Sequence, residues 1–153
     1  MQALRERLLA FLRDHKVLTL AVVDADGPHA AALFYAVDDE LCFYVVSDPG
    51  TRHGAAMLAG GEVAGTVQRD RQEWREIQGV QFRGRCRQLT GKEREPAGEL
   101  YAARFPFVRE SRWPVTALWR IEPDWMRLVD NRLGFGHKEE WTRKYLGKVS
   151  RRH

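Results

Sequence analysis

A short run between two apolar stretches, Ser47-Asp48-Pro49-Gly50-Thr51-Arg52-His53, gathers two hydroxyls, a glycine, an arginine and a histidine. If a helix starts there, its first N–H groups are unpaired, and together with the hydroxyls and the basic side chains they suit a dianionic phosphate. The same residues also make an ordinary helix start. Ser47, Asp48 or Thr51 can cap, and Pro49 fits a first turn, so taken alone they favour capping.

Two further segments could address a flat ligand. In Asp130-Asn131-Arg132-Leu133-Gly134-Phe135-Gly136-His137-Lys138 the glycines allow the backbone to fold closely over a ring, and Asn131, His137 and Lys138 offer donors for ring carbonyls or an anionic ring. The plain alternative is a loop with an aromatic anchor, followed by a terminal helix that begins at His137 and runs through Trp141. In Ile77-Gln78-Gly79-Val80-Gln81-Phe82-Arg83-Gly84 the glycines suggest a bulge or a close backbone approach, and Gln78 or Gln81 could reach a ligand. Nucleotide-binding, zinc-protease and nucleophile-elbow motifs are absent. The five histidines lack metal-ligand spacing and no cysteine is close to them in sequence, so no metal centre is expected.

The elements that must hold these segments are readable from periodicity. Residues 2–14 place Leu4, Leu8, Leu9, Phe11 and Leu12 at helical spacing, an amphipathic helix that should cover an open flank of the molecule. Residues 17–23, 29–37 and 41–47 read as strands joined by tight turns, and 51–59 as a short helix ended by Gly60-Gly61. Strands resume at 63–69 and 77–89, the latter with Val80, Phe82 and Cys86 on one face and Gln81, Arg83, Arg85 and Arg87 on the other. Residues 92–105 return to helical spacing, and two last strands are expected at 115–121 and 125–130. Clustered strands without βαβ alternation exclude a doubly wound sheet, and the need to bury strand edges points to a compact, mainly β antiparallel barrel with peripheral helices.

Composition agrees with one folded domain. The 153 residues are 44% hydrophobic and include five Trp and seven Phe, too apolar for a disordered chain. No apolar run approaches the length of a membrane span, and the N-terminal residues carry charges throughout, so a cytoplasmic address is expected. Cys42 and Cys86 read as buried thiols rather than a disulfide pair. The net charge of +4 arises largely from interleaved arginines and acids, a solvated surface on which nucleic-acid binding is not expected. Residues 1–142 form the expected domain and 143–153 a basic tail.

Taken in order, Phe34-Tyr35, Phe43-Tyr44, Thr51-Arg52-His53, Ala64-Gly65-Thr66-Val67, Ile77 with Gly79-Val80-Gln81-Phe82 and Gly84, Arg104-Phe105-Pro106 and Asp130-Asn131 with Leu133 to Lys138 resemble the flavin-binding split β-barrel superfamily that includes pyridoxamine 5′-phosphate oxidase, and in particular a small bacterial branch of it. The resemblance implies a split barrel of six to seven strands and a homodimer with two identical interfacial clefts, each holding FMN. It assigns Ser47, Thr51, Arg52 and His53 to the phosphate. Ala31, Ala32, Leu33, Phe34 and Tyr35 form the strand beneath the isoalloxazine ring. Gln78 or Gln81, with Asn131, His137 and Lys138, would come from neighbouring strands or the partner subunit. The turn departs from that of the oxidase in carrying Arg52-His53 and no Lys. The implied activity is an FMN-dependent oxidoreductase that draws electrons from a nicotinamide or similar donor and acts on a small molecule. The alternative is a non-catalytic flavin or haem module, with His29, His53 or His137 as axial ligand. A third, weaker reading is nucleic-acid binding by Arg83, Arg85 and Arg87.

Overall fold

The computed structural model describes residues 3–110 and 117–144; the first two residues, positions 115 and 116 of an expected strand, and 145–153 of the basic tail lie outside it. In chain order the elements are α1 (Leu4–Arg13), β1 (Val17–Asp24), β2 (Gly27–Phe34), β3 (Ala36–Val37), β4 (Phe43–Val46), α2 (Arg52–Gly60), β5 (Glu62–Gln68), β6 (Gln78–Gln88), α3 (Arg94–Arg104), β7 (Leu118–Asp130) and β8 (Lys138–Thr142). All strand pairs are antiparallel. The order across the sheet is β2-β1-β5-β6-β7-β4-β3, with β8 added to β7 off that path.

Strands β2 and β3 stand at opposite ends of this order, yet only Tyr35 separates them in the chain. The sheet must therefore curl until its two ends meet at that corner. Tyr35 closes it: its ring is 1% exposed, and its hydroxyl donates to the Leu12 carbonyl at 2.6 Å. Strand β7 splits its allegiance, pairing with β4 over Leu118 to Ile121 and with β8 over Trp125 to Val129. Helix α1 covers the flank between β3 and β8, with Leu8 and Leu12 fully buried, and Arg7 grips Glu139 of β8 through two bonds of 2.7 Å.

The core lies inside the curl. Alternation sends Leu18, Leu20, Val63, Val67, Val80, Phe82, Cys86, Trp119, Ile121 and Met126 inward, each a burial worth about 1.5–3 kcal/mol for the larger side chains. The inward set expected of β6 is the observed one. On the far side of β4 and β7, α3 packs Ala97 and Leu100 against Tyr44, Leu89 and Leu118. Cys42 and Cys86 are both buried free thiols, and burial pushes the Cys86 thiol up to about 11.

Three sequence expectations change. The two last strands are one, because the irregularity between Arg83 and Gly84 leaves Asp124 as the unpaired extra residue while Pro123 keeps its place opposite Gly84, and the ladder continues. Gly84 is needed there, since a Cβ at this position would lie 2.2 Å from the Glu122 carbonyl oxygen. The residues from His137 through Trp141 do not begin a helix but lead into strand β8, where pairing with β7 overrides their helical preference. The strand expected at 29–37 breaks at Tyr35 into β2 and β3, giving eight strands in all among the described residues.

Candidate functional site

The turn from β4 into α2 is held from three directions. The Ser47 N–H donates to Ala117 O at 3.2 Å, and the Ser47 carbonyl accepts from the buried Trp119 indole at 2.9 Å. The Ser47 hydroxyl lies 2.6 Å from His53 Nε2. Thr51 is the N-cap of α2: its Oγ1 accepts from the Gly54 N–H at 3.1 Å and donates to the Asp48 carbonyl at 2.8 Å. Capping therefore accounts for Thr51, while the first helical turn still leaves the N–H groups of Arg52 and His53 without intrahelical acceptors. Gly54 permits the tight fit, because a Cβ there would sit 2.2 Å from Asp48 O.

Two residues that the sequence reading did not place in the phosphate turn complete this corner, both brought by the β1–β2 hairpin. Asp24 pairs with Arg52 through contacts of 2.8 and 3.2 Å, and the guanidinium holds the Asp24 carboxyl below its usual range. His29 sets its ring beside that of His53, with centroids 6.4 Å apart and planes inclined by 13°. Burial, and secondarily His29, lower the pKa of His53. The corner thus collects hydroxyls, two imidazoles and helix N–H groups around a guanidinium that already has an acidic partner.

The expected ring-binding strand divides by face. Register with β1 puts His29, Ala31 and Leu33 on the inner side with Val22, Leu20 and Leu18, half-buried, and turns Ala30, Ala32 and Phe34 outward. Tyr35 has its side chain in the core, which removes that ring and hydroxyl from the site. Strand β2 is a sheet edge. Because the Tyr35 N–H points to Lys16 on the β1 side, alternation directs the N–H and C=O groups of Ala30, Ala32 and Phe34 toward the open side. Gln81 belongs to this outer surface, in one cross-strand row with Thr66, Thr19 and Ala32.

The remaining predicted residues gather elsewhere. Gln78 is buried and donates to Asp130 at 3.3 Å; Asp130, 3% exposed, also accepts from the Arg132 backbone and guanidinium, which depress its pKa. Asn131 joins two loops, donating to Trp74 O at 2.6 Å and accepting from the Gly136 N–H at 3.1 Å. His137 Nε2 lies 3.3 Å from Glu139, and Lys138 is exposed at the start of β8. This loop presents Phe135, 84% exposed, edge-on to Trp74. Ser47 is bonded beside the first residue of β7 and Asn131 follows its last. The 13 residues of that strand, roughly 40 Å if fully extended, separate the two groups within one chain. No group of three or more His, Cys, Asp and Glu among the described residues is placed to hold a metal ion, and no described helix is long and apolar enough to cross a membrane.

The sequence profile described as pyridoxamine 5′-phosphate oxidase matches residues 4–130. The chain belongs to this family. A UPF0306 protein of Klebsiella pneumoniae is 40% identical over 134 residues, which cover 87% of this chain and 89% of that one. Among solved structures, a heme binding protein from Mycobacterium smegmatis aligns with a TM-score of 0.78 at 16% identity, covering 93% of this chain and 59% of the other. A FAD-binding protein from Mesorhizobium loti aligns with a TM-score of 0.64 at 21% identity, covering 79% and 88%. At these identities the structural likenesses establish the split-barrel fold.

Proposed function

We propose that the chain is a flavin-binding split barrel that takes FMN at the β4–α2 corner and works as a homodimeric oxidoreductase with a nicotinamide or similar electron donor. The observation that carries the reading is the convergence of Ser47, His53 and His29 at the start of α2, directly beside the open edge of β2. The donor set fits a phosphate ester: helix N–H groups, the Ser47 hydroxyl able to rotate as a donor, and imidazoles able to gain charge. The outward N–H and C=O groups along Ala30, Ala32 and Phe34 fit the polar rim of a tricyclic ring. A bound flavin supplies hydride and single-electron chemistry; the chain binds the cofactor, orients it and shields it from water.

The second copy is supported by what the outer face exposes. Val17, Ala21 and Val23 of β1 lie beside Ala30, Ala32 and Phe34 of β2, with Val23 75% exposed. Such a surface asks for a partner. A partner docked there would also resolve the separation of the two site groups, because Trp74, Phe135, His137 and Lys138 of one copy could complete the cleft of the other.

A second reading, haem binding, is favoured by the adjacent, nearly parallel rings of His29 and His53. Titration of the purified protein with FMN and, separately, with haemin distinguishes the two. Saturable quenching of flavin fluorescence at micromolar FMN supports the first reading. A sharp Soret band that is lost in His53→Ala, with no response to FMN, replaces it with the second.

A further inference from the structure

We propose that the phosphate corner draws its positive charge mainly from imidazole rather than guanidinium, so that His53, set beside the His29 ring, takes up a proton from solvent as a phosphate ester binds, and affinity falls as pH rises through neutrality. This rests on the FMN reading above and specifies how that site is regulated.

The argument begins with Arg52, the one arginine of the turn. Its guanidinium is committed to Asp24 through Nε and Nη2, and Asp26 adds further negative charge on the same side. A phosphate that approaches Arg52 meets an ion pair and not a free cation, and the turn carries no lysine. The groups that face the imidazoles are few. From the β4–α2 turn come the Ser47 hydroxyl, 2.6 Å from His53 Nε2, and the Thr51 hydroxyl at 3.4 Å. Asp48 in the same turn directs its carboxylate to the Gly50 N–H. The β1–β2 hairpin contributes Asp24, Asp26 and His29, and α2 contributes Arg52.

In the free protein the half-buried His53 beside a second imidazole favours the neutral form, and the lowered pKa agrees. A phosphate ester carries a charge near −2 above its second pKa of about 6, and placed against these rings it reverses the preference. The Ser47 hydroxyl can rotate to donate to the incoming oxygen. Each proton taken up makes affinity fall by about tenfold per pH unit in the range where the free imidazole is neutral and the bound one charged. Below about pH 6 the ester itself becomes protonated and the gain levels off.

Calorimetric titration with FMN and with riboflavin, at pH 6.5 to 8.5 in buffers of different ionisation heat, tests this. The expected result is a buffer-dependent heat for FMN equal to about one proton gained near pH 7.5, an affinity that weakens several-fold to tenfold per pH unit, and neither effect for riboflavin. In His53→Gln, checked for an unchanged circular dichroism spectrum and melting, the proton uptake should shrink or vanish and the residual FMN affinity should flatten with pH. FMN affinity that is the same across the range, with no buffer-dependent heat in the unmodified protein, overturns the imidazole proposal and leaves the flavin reading intact. Absence of FMN binding at every pH overturns both.

Discussion

At the scale of single residues, the corner is governed by who already holds whom. Asp24 competes with any anion for Arg52, so Asp24→Asn should strengthen FMN binding several-fold and leave riboflavin binding unchanged; equal or weaker FMN affinity in a fluorescence titration would show that the pair has another purpose. Asp24 cannot itself produce the pH dependence expected near neutrality. Its carboxyl is depressed in the folded protein, so its contribution is fully present above the ordinary value of about 3.9 and is lost only as pH falls through the lower one. Trp119 acts at one remove by fixing the Ser47 carbonyl. Trp119→Phe leaves that buried acceptor without its donor, an expected cost of about 1–3 kcal/mol in urea unfolding together with weaker FMN binding. An unchanged unfolding midpoint would remove Trp119 from the support of the turn.

At the scale of elements, the start of α2 depends on close backbone approach. Gly-to-Ala inside a helix ordinarily stabilises by up to about 1 kcal/mol. Gly54→Ala is expected to do the reverse, by about 1–3 kcal/mol, because the new Cβ meets Asp48 O at 2.2 Å and the turn must open. A rise in melting temperature would disprove this packing. The same element shows what a sequence can and cannot disclose. The hydroxyl-glycine-arginine-histidine run is legible because it is contiguous, and the alternation of β6 is legible because its two faces differ so sharply in polarity. Asp24, and the place of His29 in the phosphate corner, escape because a hairpin brings both to Arg52 and His53 from more than twenty residues away. Strand β8 escapes because Lys138-Glu139-Glu140 are good helix formers and only its neighbour β7 makes it extended. Asn131 suggests a ligand role by its side-chain chemistry and by the resemblance; in the fold its amide ties Trp74 to Gly136, a contact between loops that no local pattern announces.

At the scale of the whole molecule, the proposed dimer rests on the outer face of β1 and β2. Ala21 lies between exposed Ala30 and half-buried Ala64 in a row of small side chains. Ala21→Glu should therefore convert a dimer to a monomer in sedimentation velocity, leave the far-ultraviolet spectrum unchanged and abolish tight FMN binding. A variant that sediments as the parent does places the interface elsewhere. The corner at Tyr35 bears on how the chain can vary. Side chains along a strand alternate with a period of two, so a single extra residue beside Tyr35 would reverse the parity of everything after it up to Val37 and exchange Ala36, packed against Tyr101 and Phe105, with Val37, packed in the barrel core. Length at this seam is consequently fixed to the residue. The loop near Asp70 and Arg71, which leads from one sheet strand to the next across solvent, is where natural or engineered insertions should be tolerated.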